Sequence, residues 1–142
     1  MKKLLIAVDG SEHALRAVRR AIELASEWRE KPELALISVH DDTALHHASH
    51  FVGQRAVLEH LNAQSESDLT AALALCREAG WEPERIIRVG HIAHEIAQTA
   101  QSRASDLLVL GIKGRTALGD LLMGSVAQRV CALATIPILL VP

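Results

Sequence analysis

The sequence predicts an α/β fold built on an open, five-stranded parallel sheet with helices on both faces. Short apolar runs recur along the 142-residue chain, and amphipathic stretches of helical periodicity separate them. Polar and glycine-rich residues directly follow several of these runs, which is typical of the binding edge of a parallel sheet. Because strands and helices alternate throughout, right-handed crossovers are expected to connect the strands. The length suits a single domain over 1–142.

Five apolar runs are the predicted strands. Each is bounded by turn-forming or charged residues and is shorter than an ordinary helix. In chain order the runs are LLIAV (4–8), LALISV (34–39), RIIRV (85–89), LLVL (107–110) and ILLV (138–141). The rules for doubly wound sheets favour the strand order 3-2-1-4-5, which makes strands one and four neighbours and leaves strand five at an edge.

Helical periodicity fills the intervals after strands one and two. An apolar stripe runs from Ala14 to Ala25 at three- and four-residue spacing, and Asp9 or Ser11 can cap this first helix. The second helix is longer, at roughly 53 to 79. Gly80 is placed to end it, because glycine readily takes the left-handed conformation that follows a helix.

Two shorter helices complete the alternation. The third follows Gly90, and the fourth begins at Ser125. In the fourth helix the spacing of the apolar residues predicts that three of them face inward, namely Val126, Val130 and Leu133.

Composition and charge exclude several classes of function. The net charge is -2, so no overall positive field attracts nucleic acid or an acidic membrane surface. Aromatic residues are 2% of the chain, which argues against base stacking on a platform of rings. Cys76 and Cys131 form no CxxC pair and are expected to be small buried residues in a reducing compartment. The apolar run after Lys3 ends at Asp9, too soon for a signal peptide or a membrane span, so a cytoplasmic location is predicted.

Polar residues stand where three of the predicted strands end. Asp9 and Gly10 follow strand one, His40 and Asp41 follow strand two, and Gly111 opens the loop after strand four. The carboxyl ends of parallel strands share one edge of the sheet, and ligands bind there at the point where the winding reverses. A crevice between strands one and four is therefore the expected ligand site.

The loop after strand four, GIKGRTALGDLLMGS (111–125), is rich in glycine. Gly111 and Gly114 can take positive φ angles and lack a Cβ, so their backbone can approach a ligand closely. Lys113 and Arg115 add positive charge beside them. These features favour a negatively charged ligand.

The end of the same loop coincides with the start of the fourth helix. At Gly124 and Ser125, unpaired backbone N–H groups and the helix dipole favour an anion, and the Ser125 hydroxyl adds a donor. The alternative is that Gly111 is only a tight turn and Ser125 only an N-cap. The loop contains neither a Walker A sequence nor GxGxxG. The residues alone leave both interpretations open.

The spacing Gly111-x2-Gly114-x9-Gly124-Ser125 resembles the ATP-binding signature of universal stress proteins. The similarity extends through most of the chain. It is carried in order by LLIAVDGSEHALRAVRRAIELA, VGHIAHEIAQTAQSRASDLLVLGIKGR and LLMGSVAQRVCALATIPILLVP. The resemblance implies a Rossmann-like sheet of the adenine nucleotide alpha hydrolase type and a homodimeric, nucleotide-dependent regulatory module.

The resemblance also implies a ligand and its contacts. The ligand is ATP, with Mg²⁺ or another divalent cation. Asp9 would meet the ribose or the metal ion, Val39 the adenine, and the helix start at Ser125 the phosphates. The full implied set is Ala7, Val8, Asp9, Val39, Leu110, Gly111, Lys113, Gly114, Gly124, Ser125 and Val126. Two residues depart from the family pattern: Ile112 replaces a small polar residue, and Asp120 adds a negative charge inside the loop.

Three further hypotheses concern metal binding, catalysis and assembly. His46, His47 and His50 cluster in an irregular stretch; they are expected to be a solvated polar segment, with a metal site as the alternative. No nucleophile–base pair is recognisable, so ATP binding without chemistry is the leading hypothesis. Slow hydrolysis using Asp9 and a metal, or a dimeric interaction module without nucleotide, are the alternatives. The apolar edge strand 138–141 predicts pairing with a second copy.

Overall fold

The computed structural model describes residues 1–43, 53–114 and 122–142. Within these ranges the strands are β1 (Lys3–Ala7), β2 (Glu33–His40), β3 (Glu84–Val89), β4 (Leu107–Gly111) and β5 (Ile138–Val141). The helices are α1 (Glu12–Ser26), α2 (Gln54–Glu78), α3 (Ile92–Ser102) and α4 (Ser125–Leu133). All neighbouring strands pair in parallel, in the order β3-β2-β1-β4-β5. The predicted fold class and strand order are confirmed.

The sheet is covered on both faces, and β1 lies at its centre. Leu4 and Ile6 of β1 pack on one side in a cluster with Val18 of α1 and Leu69 of α2. Leu5, between them, points the other way and joins a cluster formed with α3 and α4. This alternation explains why the strand is apolar throughout, since both of its faces are buried.

The ends of α1 and α2 follow local capping chemistry. Ser11 caps α1, because its hydroxyl accepts a hydrogen bond from the backbone N–H of Ala14 at 3.1 Å. After α2, Gly80 has a φ of 89°, and the backbone N–H of Trp81 donates to the carbonyl of Cys76. The predicted role of Gly80 is thus confirmed, and Ser11 rather than Asp9 is the cap of α1.

Two sequence predictions for α4 are wrong. Leu133 is 48% exposed rather than inward-facing, and Cys131 is exposed rather than buried. The buried stripe of this helix consists of Ala127 and Val130. Because successive helical residues are about 100° apart, Cys131 falls beside that stripe. Leu133 falls on the other flank of the stripe, so its side chain points outward while the next residue, Ala134, still packs against the core.

In the ranges that the structure covers, no helix combines the length and the apolar character that a bilayer span requires.

Candidate functional site

A cavity of about 510 Å³ lies beyond the carboxyl ends of β1, β2 and β4. Helices α2 and α3 and the first turn of α4 also contribute to its lining. Its volume falls within the range of small-molecule sites. The structure brings together in this one cavity every residue of the predicted set: Ala7, Val8, Asp9, Val39, Leu110, Gly111, Lys113, Gly114, Gly124, Ser125 and Val126.

Gly111 is required by close packing of the backbone. A Cβ at Gly111 would lie 2.9 Å from the carbonyl oxygen of Lys113 and 3.0 Å from that of His13. These are backbone atoms, so they cannot move aside as a flexible side chain would. Any larger residue at this position would therefore push the end of β4 away from the start of α1.

Gly114 lies against the carboxylate of Asp9. A Cβ at Gly114 would come within 2.8 Å of Asp9 Oδ2. The same carboxylate is oriented by its other oxygen, because Asp9 Oδ1 accepts a hydrogen bond from the backbone N–H of Ser11 at 2.9 Å. The loop after β4 and the end of β1 thus meet at this carboxylate.

The prediction of positive φ angles at Gly111 and Gly114 is wrong. Among the described glycines, positive φ occurs instead at Gly10, Gly53, Gly80 and Gly90. The two loop glycines are needed because they lack a side chain, and the left-handed region is not involved. Of the two reasons given for these glycines, the missing Cβ is therefore correct and the positive φ is not.

Gly124 differs from the other two glycines, because the described residues leave room for a side chain there. A Cβ at Gly124 would make its closest contacts at 3.4 Å, to Ile112 O and Lys113 Cα. The backbone N–H of Gly124 donates to the Ile112 carbonyl at 2.7 Å, which fastens the start of α4 to the end of β4. Ser125 and Val126 then follow in the first turn of α4, where Gly124 has no side chain to cap their N–H groups.

At the opposite end of the cavity, Val39 of the predicted set is joined by residues that the sequence did not assign to a site. Its apolar wall includes Ile37, Ile92 and Ile96. Its polar wall is a pair, His40 and Asp68, in which His40 Nε2 lies 3.3 Å from Asp68 Oδ2. The side chains are only 14% and 10% exposed.

Asp68 was hard to find in the sequence because it lies 28 residues beyond His40, inside a long helix. The one available signal is a polar interruption of the apolar stripe of α2. Ser65 is fully buried between Leu61 and Leu69, and Asp68 is three residues further along the same side. His40 was noted only as the residue after strand two.

Several residues considered in the sequence lie outside the described ranges. They are His46, His47, His50, Arg115 and Asp120. Ile112 is described and is not among the residues that line the cavity. Its backbone serves the fold, because its N–H donates to Val141 of β5 and its carbonyl accepts from Gly124.

The sequence of the chain matches a known protein family. The model of the universal stress protein family matches residues 1–142. Universal stress protein MJ0531 of Methanocaldococcus jannaschii is 34% identical to this chain, with 99% of the chain and 81% of the relative covered. Universal stress protein YxiE of Bacillus subtilis is 29% identical, with 98% and 97% covered.

Solved structures share the fold. Hypothetical protein MJ0577 superposes with a TM-score of 0.86 at 25% identity, covering 99% of this chain and 94% of that protein. A universal stress protein in complex with cAMP gives 0.70 at 23% identity, with 99% and 97% covered. An Arabidopsis thaliana family member with AMP bound gives 0.70 at 18%, with 99% and 91% covered. The family match over the whole sequence, with these relatives, identifies the chain as a member of the universal stress protein family.

Proposed function

We propose that this chain binds ATP in the cavity beyond β1, β2 and β4 and acts as a cytoplasmic, nucleotide-dependent regulatory domain. The observation that carries the proposal is the convergence of Asp9, the Gly111–Gly114 loop and the start of α4 on one cavity. An anion is favoured at that helix start by the dipole and by the N–H groups of the first turn. Lys113, which also lines the cavity, adds a positive charge.

The order of the strands gives the proposed ligand a direction. The phosphates lie at the start of α4, beside the end of β4. The ribose lies over the end of β1, where the Asp9 carboxylate can accept hydrogen bonds from its hydroxyls. The base lies over the end of β2, against Val39 and the isoleucines of α3. A nucleotide in this position would contact the predicted residues at the ends of β1, β2 and β4 and at the start of α4.

Two family members support an adenine nucleotide as the ligand. One solved universal stress protein is in complex with cAMP, and the one from Arabidopsis thaliana has AMP bound. Both ligands contain an adenine, a ribose and one phosphate group. The three phosphates of ATP require additional anion contacts, which the uncapped first turn of α4 can supply.

A divalent cation fits the same site as a companion of the phosphates. Asp9 offers one carboxylate beside the cavity, and Mg²⁺ in nucleotide sites is commonly held by one or two carboxylates together with phosphate oxygens. In the part of the chain that the structure describes, no cluster of three or more His, Cys, Asp or Glu side chains forms a site for a metal ion. The cation would therefore bind with ATP, where it would neutralise phosphate charge.

We further propose a homodimer through β5. This strand is at the edge of the sheet, and Ile138, Leu139 and Leu140 are only partly buried in the single chain. Leu133, at the end of the neighbouring helix, is exposed as well. A two-fold pairing of β5 strands would cover these side chains and the unpaired backbone groups. Sedimentation should give a dimer at micromolar concentration, and a monomer would contradict this part of the proposal.

The test of ATP binding is mass spectrometry of the small molecules released from freshly purified protein, followed by titration with ATP, ADP and AMP. We expect retained ATP or a micromolar dissociation constant. If the purified protein carries no nucleotide and binds none of the three, ATP binding is contradicted and the interaction module without nucleotide is the remaining hypothesis. Steady phosphate release that is lost in Asp9→Ala, with ATP affinity kept, would instead identify a hydrolase.

A further inference from the structure

The polar pair at the base end of the cavity has no role in the contacts proposed so far. His40 ends β2, and its backbone carbonyl accepts a hydrogen bond from the N–H of Gly90 at 2.9 Å. Its ring reaches Asp68 on α2, and both side chains line the cavity. Burial of two such groups carries a large desolvation cost. A ligand that forms hydrogen bonds with these side chains would offset part of that cost.

The position of the pair defines which part of the ligand it can reach. Strand β1 separates β2 from β4, so the ends of β2 and β4 are roughly 10 Å apart across the sheet. That separation is comparable with the length of a nucleoside. With phosphate at the start of α4, the group that reaches His40 and Asp68 is the base.

The residues around the pair offer different contacts to the face of the base and to its edge. Ile92 and Ile96 from α3 and Val39 from β2 offer apolar surface to a flat ring. Among the described residues that line this side of the cavity, His40 and Asp68 supply the polar side chains. Ligand sites commonly combine such apolar walls with a few polar groups that fix orientation and specificity.

A purely structural role for the pair is the competing explanation. The pair could serve only to fasten the end of β2 to α2. A second buried pair already joins these two elements, because the Ser38 hydroxyl donates to Ser65 Oγ at 3.3 Å. Neither serine lines the cavity. This neighbouring pair supplies a matched control, since it belongs to the same interface and cannot reach the ligand.

We propose that the Asp68 carboxylate, oriented by His40, accepts a hydrogen bond from the 6-amino group of a purine and thereby selects adenine nucleotides. Asp68 is the specificity-determining residue, and His40 is a positioning residue that acts through it. A purine with hydrogen at the 6-position has no donor for this carboxylate. A purine with a 6-oxo group would place an acceptor oxygen against the carboxylate, which is repulsive. The inference rests on the proposed function, because it requires that a nucleotide occupies the cavity.

The test titrates the protein with three triphosphates that differ only around the purine 6-position: ATP, purine riboside triphosphate and inosine triphosphate. Wild type should bind them in that order. Loss of the amino group should weaken binding by about tenfold, as expected for a hydrogen bond to a charged acceptor. 2′-Deoxy-ATP serves as the ligand control, because its missing hydroxyl is at the ribose end.

The decisive variant replaces both members of the pair, His40→Phe with Asp68→Leu. Replacing both members of a buried polar pair with apolar residues of similar size is often neutral for stability, so the variant is expected to fold. The preference for ATP over purine riboside triphosphate should fall to about onefold, while the loss for 2′-deoxy-ATP stays as in wild type. His40→Gln, which can still donate to Asp68, should keep part of the preference. The Ser38→Ala, Ser65→Ala double variant should keep all of it.

The outcomes separate this inference from the proposed function. Wild type that binds ATP and purine riboside triphosphate equally would overturn the role of Asp68 and leave ATP binding intact. An undiminished preference in the His40→Phe, Asp68→Leu variant would do the same. Wild type that binds none of the triphosphates would overturn the proposed function together with the inference. Equal loss of preference in the serine control would assign the effect to the β2–α2 interface.

Discussion

The two ends of the cavity are built in different ways. At the β4–α4 end, which includes Gly111, Gly114 and Gly124, the surface consists largely of backbone. At the β2–α2 end it consists of side chains, with the His40–Asp68 pair beside aliphatic residues. Backbone N–H groups bind phosphate of any nucleotide, whereas side chains can distinguish one base from another. In the proposed function, affinity therefore comes mainly from the first end and selectivity mainly from the second.

The three glycines of the β4–α4 end differ in what a side chain would meet: backbone at Gly111, the Asp9 carboxylate at Gly114, and no close contact among the described residues at Gly124. Cβ atoms at Gly111 and Gly114 would meet protein atoms at 3.0 Å or less. A Cβ at Gly124 would meet no atom of the described residues closer than 3.4 Å. Since the fold tolerates a side chain at Gly124, substitution there isolates the effect on binding.

Gly111→Ala should destabilise the protein. The new methyl group overlaps the backbone of Lys113 and His13, and relief requires movement of β4 relative to α1. We expect a loss of about 1–3 kcal/mol in the free energy of unfolding, typical of overpacking. Chemical denaturation measures it, with Gly124→Ala as the matched control. Equal stability of the two variants would contradict the distinction between them.

Gly124→Ala should fold like wild type and bind ATP at least about tenfold more weakly. The methyl group makes only ordinary contacts with the described residues, but it enters the space proposed for the phosphates at the start of α4. Losing a charge-assisted hydrogen bond there accounts for a change of this size. Calorimetric titration measures it, with adenosine as the ligand control, since adenosine has no phosphate. Unchanged ATP affinity would contradict the proposed position of the phosphates at the start of α4.

Gly114→Ala should weaken binding through Asp9. Its methyl group would lie 2.8 Å from Asp9 Oδ2, so the carboxylate has to turn away from its present position. We expect about a tenfold loss of affinity for Mg²⁺–ATP and a smaller loss for ATP without the metal. Titrations with and without Mg²⁺ separate the two. An equal loss in both would argue against a metal contact at Asp9.

Ser125→Ala should have a smaller effect than either glycine variant. It removes one hydroxyl donor and leaves the backbone N–H groups of α4 in place, so about a fivefold loss of ATP affinity is expected. The same titration measures it. A loss larger than that of Gly124→Ala would mean that the side chain, and not the backbone, provides the phosphate contact.

Cys76 reports on the packing of α2, the helix that also carries Asp68. Burial raises the pKa of its thiol to about 11 from 9.0. The folded protein therefore holds this proton more tightly than the unfolded chain, and its contribution to stability is present below pH 9 and lost between pH 9 and 11. In a Cys131→Ser background, Cys76 should not react with a thiol reagent at pH 8 until denaturant is added. Rapid reaction of the native protein would show that α2 opens.

The same contrast explains which parts of the molecule the sequence could predict. The fold followed from apolar runs and helical spacing, which are local patterns. Gly111, Gly114 and Gly124 share one loop, so their spacing was visible as well. His40 and Asp68 are brought together only by the packing of α2 on the sheet, and no local pattern links them. Exposure of Leu133 and Cys131 was missed because both lie on the flanks of the α4 stripe, and periodicity alone does not tell how wide the buried stripe is.

The most direct measurement of the central claim compares the backbone amide NMR shifts caused by adenosine with those caused by ATP. Adenosine should shift the signals of Val39 and His40, at the end of β2. ATP should shift these and, in addition, the signals of Gly124, Ser125 and Val126, where the phosphates lie. Additional ATP shifts at the end of β2 without change at the start of α4, or no shifts at all, would contradict the account.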